Sequence, residues 1–189
     1  SITYAKKIQE ALLPPLDEIT TYFNKSFIIY KPKDIVAGDF YWIEQSVENI
    51  FFATADATGH GVPGALVSIM CINALNSSVR EFGLIDPGKI LDKTREIIIK
   101  EFNRNQIEVR DGMDIALCCL NGNTLSYAGA NNPLWIIRNE EIIELKADKQ
   151  AIGYTDNLTK FTTKSIDIQE NDIIYTFSDG YIDQFGGEN

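Results

Sequence analysis

The chain is short of the residues that mark several common classes of protein. In 189 residues it has three cysteines, two methionines and a single histidine. Cys71, Cys118 and Cys119 all fall in apolar segments, and an odd count with an adjacent pair suits neither a disulfide framework nor a zinc site, so buried free thiols are expected. Cationic residues are scarce too: 17 Lys and Arg stand against 27 Asp and Glu, for a net charge of −10. That balance argues against a nucleic-acid partner, because phosphate backbones call for a basic face. No apolar run approaches the roughly 20 residues of a membrane span, so no membrane contact is expected in this segment. Residues 1–7 lack the apolar core of a signal peptide, and the expected setting is cytoplasmic. Repeats, low-complexity tracts and clear interdomain linkers are also missing. What remains, 44% hydrophobic and 11% aromatic residues, predicts one folded domain with a sizeable core. The acidic excess is either a solvated surface or a set of carboxylates gathered in part to hold cations; composition leaves both open.

The most informative stretch runs from Ile50 to Ala65. An apolar strand-like run ends in Asp56, breaks into the small-residue loop Ala57-Thr58-Gly59-His60-Gly61, and restarts as a helix over residues 62–82 with Pro63 in its first turn. Taken alone, this is either a functional loop or a strand end with a solvated aspartate. Residues 39–45 form the preceding strand, opened by Gly38-Asp39, and a turn at Glu48-Asn49 makes the pair antiparallel. Asp39 and Asp56 then lie at the same end of neighbouring strands, where two carboxylates repel unless protonated or bridged by metal. A third buried run, residues 172–177, leads into Ser178-Asp179-Gly180. Three strand-end aspartates among small residues favour a hard-cation site.

The remaining pattern is coarser. Residues 2–12 carry Ile2, Ala5, Ile8 and Leu12 at helical spacing, ended by Pro14-Pro15; this stripe is either core or the end of a signalling helix that pairs with a second copy. Residues 17–24 read as a connector and 26–30 as a strand. Asp86 caps a second long helix that starts at Pro87. Residues 113–120, 124–128, 134–137, 142–145 and 161–168 read as further strands. Strands, two helices and many strands predict an α+β sandwich of two mostly antiparallel sheets with helices outside. Trp42 and Trp135 are expected in packing roles, and Asp114 as a strand residue.

Five motifs in order carry a family resemblance: Ala37-Gly38-Asp39-Phe40-Tyr41-Trp42, Ala55-Asp56-Ala57-Thr58-Gly59-His60-Gly61, Arg110-Asp111-Gly112-Met113-Asp114, Tyr127-Ala128-Gly129-Ala130-Asn131-Asn132-Pro133 and Phe177-Ser178-Asp179-Gly180. Together they resemble the metal-dependent type 2C (PPM) serine/threonine phosphatases, in the bacterial SpoIIE-like branch. The resemblance implies a four-layer α-β-β-α sandwich with two Mn²⁺ or Mg²⁺ ions in a cleft at one end. It implies Asp56 as the bridging ligand, the Ala57 carbonyl and Asp39 at the first ion, and Asp179 at the second. His60 is implied as general acid, or else as a helix cap or a partner of a ligand carboxylate. Lys33 is a candidate for substrate phosphate, and Asp183 for support behind Asp179. Residues 1–15 resemble the helix that joins such domains to an upstream sensor, with homodimerisation as one outcome. Residues 16–189 correspond to the phosphatase domain without its C-terminal helix and last strand, which in the family carries a further metal-binding aspartate. The implied function is dephosphorylation of a phosphorylated anti-sigma-factor antagonist. The competing expectation is a catalytically inactive module that keeps the fold and binds a phosphoprotein or another partner.

Overall fold

A computed structural model describes residues 2–103, 111–155 and 158–182. Alternation dictates the centre of the fold. Strands β1 (Phe40–Ser46) and β2 (Asn49–Ala57) form a hairpin, and β2 pairs on its other side with β3 (Met113–Asn121), which is followed by β4 (Thr124–Ala130). Along these strands, side chains point alternately to opposite faces. Phe51, Ala53, Ala55, Ile115 and Leu117 face one core, while Phe52, Ala116, Cys118, Leu125 and Tyr127 face the other. A sheet apolar on both faces must be covered on both. Helices α3 (Gly61–Arg80) and α4 (Pro87–Phe102) cover the first face. A second sheet of β5 (Leu134–Arg138), β6 (Glu141–Leu145) and β8 (Ile173–Tyr175) covers the second through Leu134, Ile136, Ile143 and Ile174.

Strand β7 (Lys164–Asp167) completes the larger sheet, giving the orders β1-β2-β3-β4-β7 and β6-β5-β8, antiparallel throughout. The expected α+β sandwich is therefore the fold. Fully buried side chains such as Phe51, Leu75 and Leu117 hold the layers together, each contributing about 1.5–3 kcal/mol by leaving water. Cys71, Cys118 and Cys119 are buried free thiols. The α4 cap also forms as expected: Asp86 accepts from the Lys89 amide at 2.9 Å, with Pro87 in the first turn. Trp42 is core, donating to Asn76 Oδ1 at 2.8 Å, and Trp135 stacks edge-on against Phe177.

Two local expectations change. Residues 17–24 are not a plain connector, because α2 (Leu16–Tyr22) forms there, with Asp17 and Glu18 in its first turn and Ile19 buried. Residues 26–30 join no ladder among the described residues, so the expected strand found no partner. By length and composition α3 is apolar enough to cross a membrane. Its buried positions, including Cys71, Ile72 and Leu75, instead make it the central core helix. Helix α1 (Ile2–Leu12) leaves Ile2, Ile8 and Leu12 exposed and buries only Gln9, so its apolar stripe is not core. A short helix, α5 (Asp179–Ile182), follows β8. Arg110 and Asp183 lie outside the described residues.

Candidate metal centre

The hairpin register places Phe40 opposite Ala55, so Asp39 and Asp56 come together at one end of the larger sheet, as the sequence predicts. Close backbone packing fixes that end. A Cβ on Gly38 would lie 2.6 Å from both the Ala57 and Gly59 carbonyl oxygens, and one on Gly64 would lie 2.2 Å from the Gly59 oxygen. Only glycine allows the 38–39 segment, the 57–59 loop and the start of α3 to approach so closely. Ala57 N–H donates to the Gly38 carbonyl at 3.4 Å, and Thr58 N–H to the Gly112 carbonyl at 2.9 Å, tying the loop to both neighbouring strands.

Asp39, Asp56 and Asp179 converge here. Ser178 Oγ donates to Asp39 Oδ2 at 2.7 Å, bringing the end of the 172–178 run against the hairpin. Burial, then hydrogen bonding and charge repulsion from Asp39, then the charge of Asp179, push the Asp56 carboxyl up to about 8. At neutral pH the group therefore holds a proton unless a cation replaces it. That is an observation of fit: an all-oxygen donor set whose charge is uncompensated suits Mg²⁺ or Mn²⁺. Among the described residues no three acidic, imidazole or thiol groups close into a compact cage, so the donor set is open.

A cleft of about 530 Å³ is lined in part by Asp56, Thr58, His60, Asp114 and Asn131, and of the three converging aspartates only Asp56 lines it. His60 stands at the N-cap position of α3 but makes no capping hydrogen bond with its side chain. Its imidazole is largely exposed, with Nδ1 3.5 Å from Asp34 Oδ2. Asp34 was not singled out by the sequence. Lys33 is exposed on the same loop. Asp114, expected as a strand residue, lies directly across the ladder from Asp56. Its carboxyl accepts from Asn131 Nδ2 at 2.8 Å, and burial raises its pKa. Asn131 holds a left-handed backbone at φ 58°. The sequence signal for Asp114 was available: pairing the two predicted strands end to end sets it beside Asp56.

Fold and site together define a PP2C-type phosphatase domain. The stage II sporulation protein E (SpoIIE) family matches residues 46–189, and the chain belongs to that family. The SiaA-PP2C domain of Pseudomonas aeruginosa is 31% identical, with a TM-score of 0.85 over 99% of this chain and 74% of that one. A structure of the PP2C phosphatase domain and part of the regulatory domain of SpoIIE from Bacillus subtilis is 21% identical (TM-score 0.61; 77% and 42% covered). RsbX in complex with magnesium is 13% identical (TM-score 0.56; 77% and 67% covered). The latter two show the fold alone. No curated protein matches the chain.

Proposed function

We propose that the chain is a metal-dependent phosphoserine/phosphothreonine protein phosphatase, the cytoplasmic output domain of a bacterial signalling protein. The observation that carries this reading is the convergence of Asp39, Asp56 and Asp179 on a loop whose backbone is packed glycine against carbonyl. Asp56 would bridge two Mn²⁺ or Mg²⁺ ions, with Asp39 and the Ala57 carbonyl holding the first and Asp179 the second. The magnesium bound in RsbX, a protein of the same fold, supports that choice of ion. When bound, the ions supply charge for the phosphate and an activated water for in-line attack on phosphorus.

The chain's own residues supply the rest. As the imidazolium, His60 would keep Nδ1–H towards Asp34, 3.5 Å away, and give its Nε2 proton to the departing serine or threonine oxygen, becoming neutral. The exposure of His60 suits a protein substrate, whose side chain must reach the cleft from outside. Lys33, exposed on the same loop, would meet the substrate phosphate. The substrate class we favour is a phosphorylated anti-sigma-factor antagonist. Helix α1, with its exposed Ile8 and Leu12, serves as the joint to an upstream sensor and to a second copy.

The test is Mn²⁺ calorimetry alongside phosphopeptide hydrolysis, on the chain and on Asp56→Asn. Metal uptake and turnover, both lost in the variant, are expected. A second reading, phosphoprotein binding without turnover, draws on the open donor set among the described residues. Metal uptake without hydrolysis would select it.

A further inference from the structure

Helix α1 buries one side chain, and that side chain is polar. Gln9 is 3% exposed and sits on an unusual pair of partners. Its Nε2 donates to the Ala37 carbonyl at 2.6 Å and to Ser68 Oγ at 3.0 Å, while its Oε1 accepts from the Ala37 N–H at 3.1 Å. The side-chain amide thus satisfies both backbone groups of Ala37, as a neighbouring strand would. Ser68 in turn donates to the Ala65 carbonyl at 2.8 Å, anchoring the cluster to α3.

Ala37 is buried and is followed by the glycine that touches the metal loop. The Gly38 Cα lies 3.3 Å from the position of a Cβ on Gly64, and the Ala57 and Gly59 carbonyls crowd its own missing Cβ. Nothing in this stack has room to shift alone. A displacement of Ala37 is passed to Asp39 two residues later and to Ala57, whose N–H donates to the Gly38 carbonyl at 3.4 Å and whose own carbonyl abuts Gly38. Closely packed interiors transmit such shifts rather than absorbing them.

We propose that Gln9 is a positioning residue for the metal centre, holding Ala37 so that the Asp39 carboxylate and the Ala57 carbonyl face the cations together. The inference rests on the metal-dependent reading above. It makes the Gln9–Ala37 contact the point at which the position of α1 is felt by the ligands.

The variant is Gln9→Met, which keeps length and bulk but removes all three hydrogen bonds. Two quantities are read: Mn²⁺ affinity by calorimetry and amide hydrogen exchange at Ala37. The expected result is Mn²⁺ binding about tenfold weaker, the scale of an ordinary coupling between sites, with faster exchange at Ala37 and unchanged exchange in β2 and β3. Faster exchange with unchanged Mn²⁺ affinity would overturn the proposal, because Gln9 would then only fasten the helix. If the variant does not fold, the wild-type chain decides: coupling is reciprocal, so saturating Mn²⁺ must slow exchange at Ala37, and an unaltered rate overturns the proposal. A wild-type chain that takes up no Mn²⁺ at all brings down the metal reading itself, a result separate from either of these.

Discussion

Asp56→Asn is predicted to stabilise the metal-free protein and to abolish its response to metal. In the folded chain the Asp56 carboxyl is pushed from an ordinary 3.8 to about 8, first by burial and then by Asp39 and Asp179. Below about pH 4 the group is protonated folded and unfolded alike, and it costs nothing. Between about 4 and 8 the native state binds a proton that the unfolded state has lost, so stability falls as pH rises. Above about 8 the full cost is present. Taken at face value the shift corresponds to about 5–6 kcal/mol, but Asp56 is only half-buried, and solvent screening brings this to about 1–2 kcal/mol. For a chain of this size, that is a rise in melting temperature of about 2–8 °C for the asparagine variant near pH 8, shrinking to nothing near pH 4.5. Adding Mn²⁺ at about a hundred times its dissociation constant should then raise the wild type by about 2.7 kcal/mol and reverse the order, leaving the variant where it was. The assay is thermal unfolding at several pH values with chelator and with Mn²⁺. A variant less stable than wild type near pH 8 without metal, or a difference that does not change with pH, would refute the electrostatic reasoning.

Other perturbations separate the parts of the site. His60→Ala should slow hydrolysis of a phosphopeptide by about 10²-fold or more while sparing an aryl phosphate whose leaving group needs no proton; equal losses would rule out the proton-donor role. Gly38→Ala drives a methyl group into two backbone carbonyl oxygens and should cost about 1–3 kcal/mol in urea unfolding together with most Mn²⁺ affinity; a change below about 0.5 kcal/mol would mean the loop is not packed as described. Ile8→Glu with Leu12→Glu, both at exposed positions, should shift stability by no more than about 0.5 kcal/mol. The same pair should alter turnover or self-association in a chain carrying the upstream domain, and no effect on either would count against α1 as the joint.

Much of the fold was readable because the chain's local and long-range signals agree. Residues 39–45 and 50–56 are short apolar runs of the kind a strand buried on both faces needs, a short turn joins them, and their register follows from that turn. Asp86-Pro87 announces a helix start that the structure fills with the expected cap. Residues 26–30 show the limit of this logic: Phe27 and Ile29 have strand propensity, yet a strand exists only where a partner supplies the ladder. Helix α2 errs the other way. The Thr20 and Thr21 hydroxyls turn back to the Asp17 and Glu18 carbonyls, and one buried contact at Ile19 orders a segment whose composition reads as loop.

The site divides along the same line. Asp39, Asp56 and Asp179 were legible because each stands beside small residues where an apolar run starts or stops, a local signal, although in the structure Asp179 opens α5 rather than ending β8. Asp114, Asp34 and Gln9 act across the fold, and their roles depend on which backbone lies opposite. Gln9 is the sharpest case. It lies between the positions that the apolar spacing marks, one turn before the buried Leu13, and no local sign in the sequence marks it as the residue α1 buries. The apolar spacing marks Ile2, Ile8 and Leu12, which are exposed, so periodicity pointed beside the face that α1 buries. Yet a buried amide costs free energy unless its hydrogen bonds are met, and here they are met by a backbone 28 residues away that leads straight to Asp39. An apolar residue at position 9 would bury as well and would leave Ala37 without either partner. That the one buried position of α1 is polar is therefore better explained by what it holds than by how it packs.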